Sequence, residues 1–191
     1  RYYGAEYQHI NSRDRAKILI DGEEVVEYDY SGLHFSMLMH EEKHEIIGDA
    51  YDVFDGNPHL RKATKLYITI AINAPTIQSA DSAFYDKINE EKLKTIKDEM
   101  RLMNIKAVDI RNRFIERYPM AEKFFGTDQG IRLMRIDADM ATDVLMHFTN
   151  KKIACLCVHD SFIVQKRHGD ELQIVMKRVY MERFGYDIGV K

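Results

Sequence analysis

The sequence predicts an α+β protein, with paired strands near each end of the chain and a long helical stretch between them. Three observations carry that expectation. Short apolar runs interrupted by Asp-Gly or Asp-Ser turns lie at residues 17–30 and 153–165. Apolar residues recur at helical spacing between these two regions. Strands and helices do not alternate, as they would in a parallel βαβ sheet. With 191 residues, 45% of them hydrophobic, the chain fits one domain, or one domain with a sizeable insertion, and can bury a substantial core.

In chain order, residues 1–12 are aromatic and polar without periodicity and read as irregular. Residues 17–20, Asp21-Gly22 and residues 25–30 read as a hairpin about a Gly-containing turn. Residues 33–48, apolar at 33, 35, 37, 38, 46 and 47, read as a helix, and Asp55-Gly56-Asn57-Pro58 then breaks the chain. Beyond the break, residues 59–74 set Leu60, Ala63, Leu66, Tyr67, Ile70 and Ala71 at helical spacing. Residues 81–117 read as two or three amphipathic helices, and 129–148 as another. An apolar strand at 153–158 is followed by Asp160-Ser161, a second strand at 162–165, a break at Gly169-Asp170 and a last helix ending near Phe184.

Composition excludes several classes. No window approaches the roughly 20 consecutive apolar residues of a membrane span, and Gly 10 with Pro 3 excludes collagen-like or Pro-rich chains. Lys+Arg 28 against Asp+Glu 31 gives a net charge of −3, so any nucleic-acid surface must be a local patch. Cys155 and Cys157, with one residue between them on a strand, point to one face and are poorly placed to pair. No signal peptide is read, so a reducing, cytoplasmic setting is expected. A first residue of Arg rather than Met suggests a piece of something longer.

Two aspartates stand out. Asp29 ends a strand, and Asp160 sits in the sharp link between two apolar strands. Two carboxylates brought together at a sheet edge would repel unless a divalent cation compensated them. Hard oxygen donors of this kind suit Mg²⁺, and two such ions about 4 Å apart can stabilise both oxygens of a phosphoryl transfer. The plainer reading is that each Asp caps a turn. Arg61 and Lys65, four apart on a helix, project to one side, where a polyphosphate would relieve their repulsion. A solvated basic face is the plainer reading there, and no Gly-rich phosphate loop is present.

At these residues the sequence resembles the family A and single-subunit phage-type nucleic-acid polymerases. Glu27-Tyr28-Asp29-Tyr30-Ser31-Gly32-Leu33-His34 resembles their motif A. Arg61-Lys62-Ala63-Thr64-Lys65, running on to Ile72-Asn73-Ala74, is similar to motif B, and Val158-His159-Asp160-Ser161-Phe162 to motif C. The start of the chain, with Arg1 and Gln8-His9-Ile10, is similar to the stretch that precedes motif A. The resemblance implies a polymerase palm, a small antiparallel sheet packed on helices, formed by residues 1–58 and 121–191, with a short helical fingers insertion at 59–120. It implies Asp29 and Asp160 as catalytic metal ligands, with the carbonyl of Tyr30 as a further ligand for two Mg²⁺ ions, or Mn²⁺ in their place. Arg61 and Lys65 would hold the triphosphate of an incoming nucleotide, and Arg1, Gln8 and His159 would contact the template-primer nucleic acid, DNA foremost. The implied reaction is attack of a 3′-hydroxyl on the α-phosphate of a nucleoside triphosphate. In these families a thumb precedes the palm, so an N-terminal part is expected elsewhere.

The sequence also departs from the family. His34 stands where the DNA polymerases place a Glu that screens the sugar. Thr69 and Asn73 occupy nucleotide-binding positions that carry aromatic residues in those families, and Ser161 removes an acid from motif C. One rival reading is a palm that has lost catalysis and serves as a nucleic-acid-binding module. Another is a zinc protease, since His40-Glu41-Glu42-Lys43-His44 matches HExxH. On a helix, His40 and His44 would share a face, with Glu45, Asp49 or His59 as third ligand.

Overall fold

A computed structural model describes residue 2 and residues 4–191. It is α+β, with one antiparallel four-stranded sheet in the order β1-β2-β4-β3, where β1 is Leu19–Ile20, β2 Glu23–Asp29, β3 Cys155–Val158 and β4 Ser161–Gln165. The chain divides into two compact units, one of residues up to Leu33 together with Arg132–Lys191, the other His34–Ile131. None of the described helices is long and apolar enough to cross a membrane.

The first unit contains the sheet. Its hairpin turns on Asp21 (φ 51°) and Gly22 (φ 80°). Two successive positive-φ residues match the right-handed twist of the strands they join, which is why Asp-Gly serves here. β2 then pairs along its length with β4, from Val25 opposite Gln165 to Asp29 opposite Ser161, and β4 pairs with β3 from Cys155–Val164 to Val158–Ser161. One face of the sheet packs on α8, Gly169–Phe184. The approach is close at Gly169, where a Cβ would come within 3.1 Å of Val26. Tyr30, 2% exposed, lies against Phe162 and Tyr180, and its hydroxyl donates to the Met176 carbonyl at 2.8 Å. Gly185 ends α8 in the left-handed conformation, its amide returning to Met181.

The second unit is helical: α3 (Pro58–Asn73), α4 (Ile77–Ile88), α5 (Lys94–Leu102) and α6 (Ala107–Arg117) follow most of α2 (Leu33–Glu41). Asn57 caps α3 by accepting the amides of His59 and Leu60, and Pro58 stands at the first turn, where its missing N–H costs nothing. α3 buries Leu60, Ala63, Tyr67, Ile68, Ala71 and Ile72 and packs on α4, α5 and α6. Inside, the Tyr67 hydroxyl donates to Asp81 at 2.7 Å and accepts from Arg111 at 2.9 Å, tying α3, α4 and α6.

Several element boundaries differ from the sequence reading, among them β1, which starts at Leu19 rather than 17, and β2, which spans Glu23–Asp29 rather than 25–30. The helix expected over 33–48 stops at Glu41. There the amides of Lys43 and His44 return to the carbonyls of His40 and Met39, with Lys43 in the left-handed region at φ 57°. Ile46 and Ile47 matched the helical period, but Ile47 is 78% exposed and lies outside the buried stripe. Residues 12–15 form a single turn of helix, α1, capped by the Asn11 side chain, where the sequence suggested irregular chain up to residue 12. The first strand of the later pair starts at Cys155 rather than 153, and the second at Ser161 rather than 162.

Candidate active site

In the first unit, β3 and β4 are joined by a two-residue turn, His159-Asp160, since Val158 pairs with Ser161. His159 is exposed and adopts φ 57°, a conformation that strains any residue with a Cβ. The turn delivers Asp160 to one end of the sheet. At that same end β2 stops at Asp29, whose register partner is Ser161, the residue after Asp160. Directly opposed residues of antiparallel strands lie about 5 Å apart. The pairing of two sequence-distant strands therefore brings Asp29 and Asp160 into one neighbourhood. Both are half-buried, and Oδ1 of Asp29 is shielded from solvent.

The end of β2 is fixed on its other side as well. Asp29 exchanges main-chain hydrogen bonds with Lys191 at 2.8 and 3.1 Å, and the Ser31 amide donates to Gly189 at 2.8 Å. The Tyr30 carbonyl is not among the acceptors of this short ladder. Burial, aided by the charge of Asp137, raises the Tyr30 phenol far above its usual range, so this residue stays neutral and anchors the strand end. Asp137, on the long helix Gly130–Asn150 (α7), is itself 3% exposed.

The edge of β3 is closed by the Glu6–Gln8 turn. Gln8 donates from Nε2 to the carbonyls of Cys157 (2.8 Å) and Tyr2 (3.0 Å), so both its amide hydrogens are used inside the unit. Gln8 thereby sits two residues from His159 along β3. Arg1, expected beside it, lies outside the described residues, as does Tyr3.

In the second unit, Arg61, Lys65, Thr69 and Asn73 follow one another at four-residue intervals along α3, all at least partly exposed. Arg61 donates from Nε to Asp49. The Lys65 side chain makes no hydrogen bond or ion pair among the described residues. Thr69 and Asn73 bond back to their own helix, to the carbonyls of Lys65 (2.8 Å) and Thr69 (2.6 Å). They line an open hollow of about 380 Å³ with Ile70, Ala74, Pro75, Ser79 and Ala83. His34, the first residue of this unit, is half-buried on α2.

The HExxH match does not form the helical arrangement it needs. His40 and Glu41 are the last two residues of α2, while His44 lies past its end. His40 is buried rather than on an exposed helix face. Burial holds its pKa below the ordinary histidine range, with Glu45 opposing and His44 reinforcing that shift. Among the described residues, no group of three or more His, Cys, Asp and Glu side chains is arranged to hold a metal ion.

No family model matches the chain, and no curated protein matches it either. Asp49 entered the sequence reading only as a candidate zinc ligand; its pairing with Arg61 was not legible, because nothing in Gly48-Asp49-Ala50 marks it as belonging to a site twelve residues on. The closing of β3 by Gln8 was hidden for the same reason, since it spans 149 residues of sequence.

Proposed function

We propose that this chain is the palm core, with a helical fingers-like insertion, of a template-dependent nucleotidyltransferase of the DNA polymerase type. What supports the reading above all is the β2–β4 register, which sets Asp29 opposite Ser161 and so beside Asp160. The donor set suits Mg²⁺: two carboxylates and the Tyr30 carbonyl are hard oxygen ligands, and Mg²⁺ takes one or two carboxylates while keeping waters and substrate phosphates. When bound, two such ions would supply charge compensation at the attacking and leaving oxygens of the transferred phosphoryl group. The chain's own residues do the rest. Asp29 and Asp160 fix the metal positions, and Arg61 with Lys65 takes the polyphosphate of a nucleoside triphosphate. His159 and Gln8 flank the end of the primer-template. Catalysis then rests on positioning and fixed charge rather than on a protein nucleophile.

The test is nucleotide incorporation on a primed template, with deoxy- and ribonucleotides, in Mg²⁺ and after chelation. Asp29→Asn and Asp160→Asn should each lower incorporation at least about 100-fold, the loss expected when a charge-stabilising group is removed, with the fold intact by circular dichroism. Full activity in either variant would contradict the assignment. A second reading, a palm retained only to bind nucleic acid, draws on Thr69 and Asn73, which bond their own helix where the family stacks aromatic rings on the nucleotide. Metal-independent binding of primed template by a chain that incorporates nothing would favour it.

A further inference from the structure

Arg61 is held by one edge of its guanidinium. Its Nε donates to Asp49 Oδ2, and among the described residues the guanidinium makes no other hydrogen bond or ion pair. Asp49 is engaged on both oxygens, because Oδ1 accepts the Tyr51 amide at 3.0 Å. The loop that carries it is fastened to α6. Arg117 donates to the carbonyls of Asp52 (2.6 Å) and Ile47 (3.2 Å), and Arg113 lies over the Phe54 ring at 4.7 Å. Burial pushes the Asp49 carboxyl up, but its hydrogen bonds to Arg61 and Tyr51 and the charges of Arg61 and Arg117 outweigh that and leave it below its ordinary range, hence ionised.

The side chains of Arg61 and Asp49 are 36% and 38% exposed. An ion pair that open contributes little to stability, so its consequence lies in what it does to Arg61. A carboxylate on Nε fixes a long, rotamer-rich side chain and leaves both η nitrogens, the pair that grips a phosphate bidentately, for a ligand. Lys65 stands one helical turn away. We propose that Asp49 is a positioning residue for polyphosphate binding by Arg61. It orients the guanidinium so that its η nitrogens, with the Lys65 ammonium, take the phosphate oxygens of a nucleoside triphosphate. This rests on the reading of Arg61 and Lys65 given above.

Titration calorimetry of the full chain with inorganic tripolyphosphate tests it. Asp49→Ala should weaken binding five- to tenfold in the wild-type background and less than twofold when Arg61 is already Ala, since a positioning residue acts only through the residue it positions. Asp49→Asn, which preserves the acceptor for the Tyr51 amide and so the loop, should weaken binding in the same direction and show the same dependence on Arg61. The Arg61 Nε–Hε resonance should shift in both variants. Tighter binding in Asp49→Ala would overturn the proposal, because Asp49 would then be a competitor for Arg61. Equal losses in both backgrounds would overturn it too, as a general effect on the loop. If Arg61→Ala and Lys65→Ala both leave tripolyphosphate binding unchanged, the phosphate reading of α3 itself fails, and the proposal with it.

Discussion

His159 occupies the left-handed region at φ 57° in the turn that presents Asp160. A non-glycine residue there costs roughly 1 kcal/mol. His159→Gly should therefore raise the stability of the folded chain by about 0.5 to 1 kcal/mol in urea unfolding, while nucleotide incorporation falls because the imidazole is lost. Unchanged or lower stability would mean that the turn is not strained. Four residues earlier, burial and the neighbouring Cys157 push the Cys155 thiol up to about 12. Since the thiolate is the reactive form, Cys155 should resist alkylation at pH 8 in the native protein and react quickly once unfolded. Rapid native labelling would place that thiol outside its half-buried strand environment.

Among the elements, α2 and the β2–β4 pair show what sequence reasoning reaches. The hairpin was legible because Asp21-Gly22 carries a local rule for positive φ, and α3 because Asn57-Pro58 and its apolar stripe carry local rules for a helix start. The end of α2 was not. Ile46 and Ile47 satisfy the helical period, and only the left-handed turn at Lys43 stops the helix. Lys43→Gly should accordingly stabilise the chain by up to about 1 kcal/mol, since glycine takes that conformation without a steric penalty. Nor could any local pattern pair β2 with β4, whose partners are more than a hundred residues apart. The two aspartates were thus individually visible at strand ends; that they share a site was an implication of the resemblance, and the register is what sets them at one end of the sheet. The His40 environment adds a pH dependence. Its folded pKa lies below the ordinary 6.5 because burial disfavours the charged ring, so below that pH the unfolded state binds the proton more readily. The contribution is complete above about pH 6.5 and is lost as the pH falls towards the folded value. Replacing His40 by Gln should flatten the pH dependence of stability over this window.

At the scale of the whole molecule, the charge balance is slightly negative at −3, and the sheet end that carries Asp29 and Asp160 adds local negative charge. A ligand that binds only the folded state raises its stability by mass action. At ten times its dissociation constant, Mg²⁺ should add about 1.4 kcal/mol, a rise of roughly 3 to 5 °C in the unfolding midpoint for a chain of this size. Asp29→Asn and Asp160→Asn should each abolish that rise, because each removes a carboxylate that would hold the ion. Where a metal ion binds tests the polymerase reading most directly. Crystals soaked in Mn²⁺ and measured for anomalous scattering should show density roughly 2.1 Å from carboxylate oxygens of both Asp29 and Asp160, the distance of octahedral oxygen coordination. Density that instead sits at His40 or His44, or none at the sheet end, would contradict it.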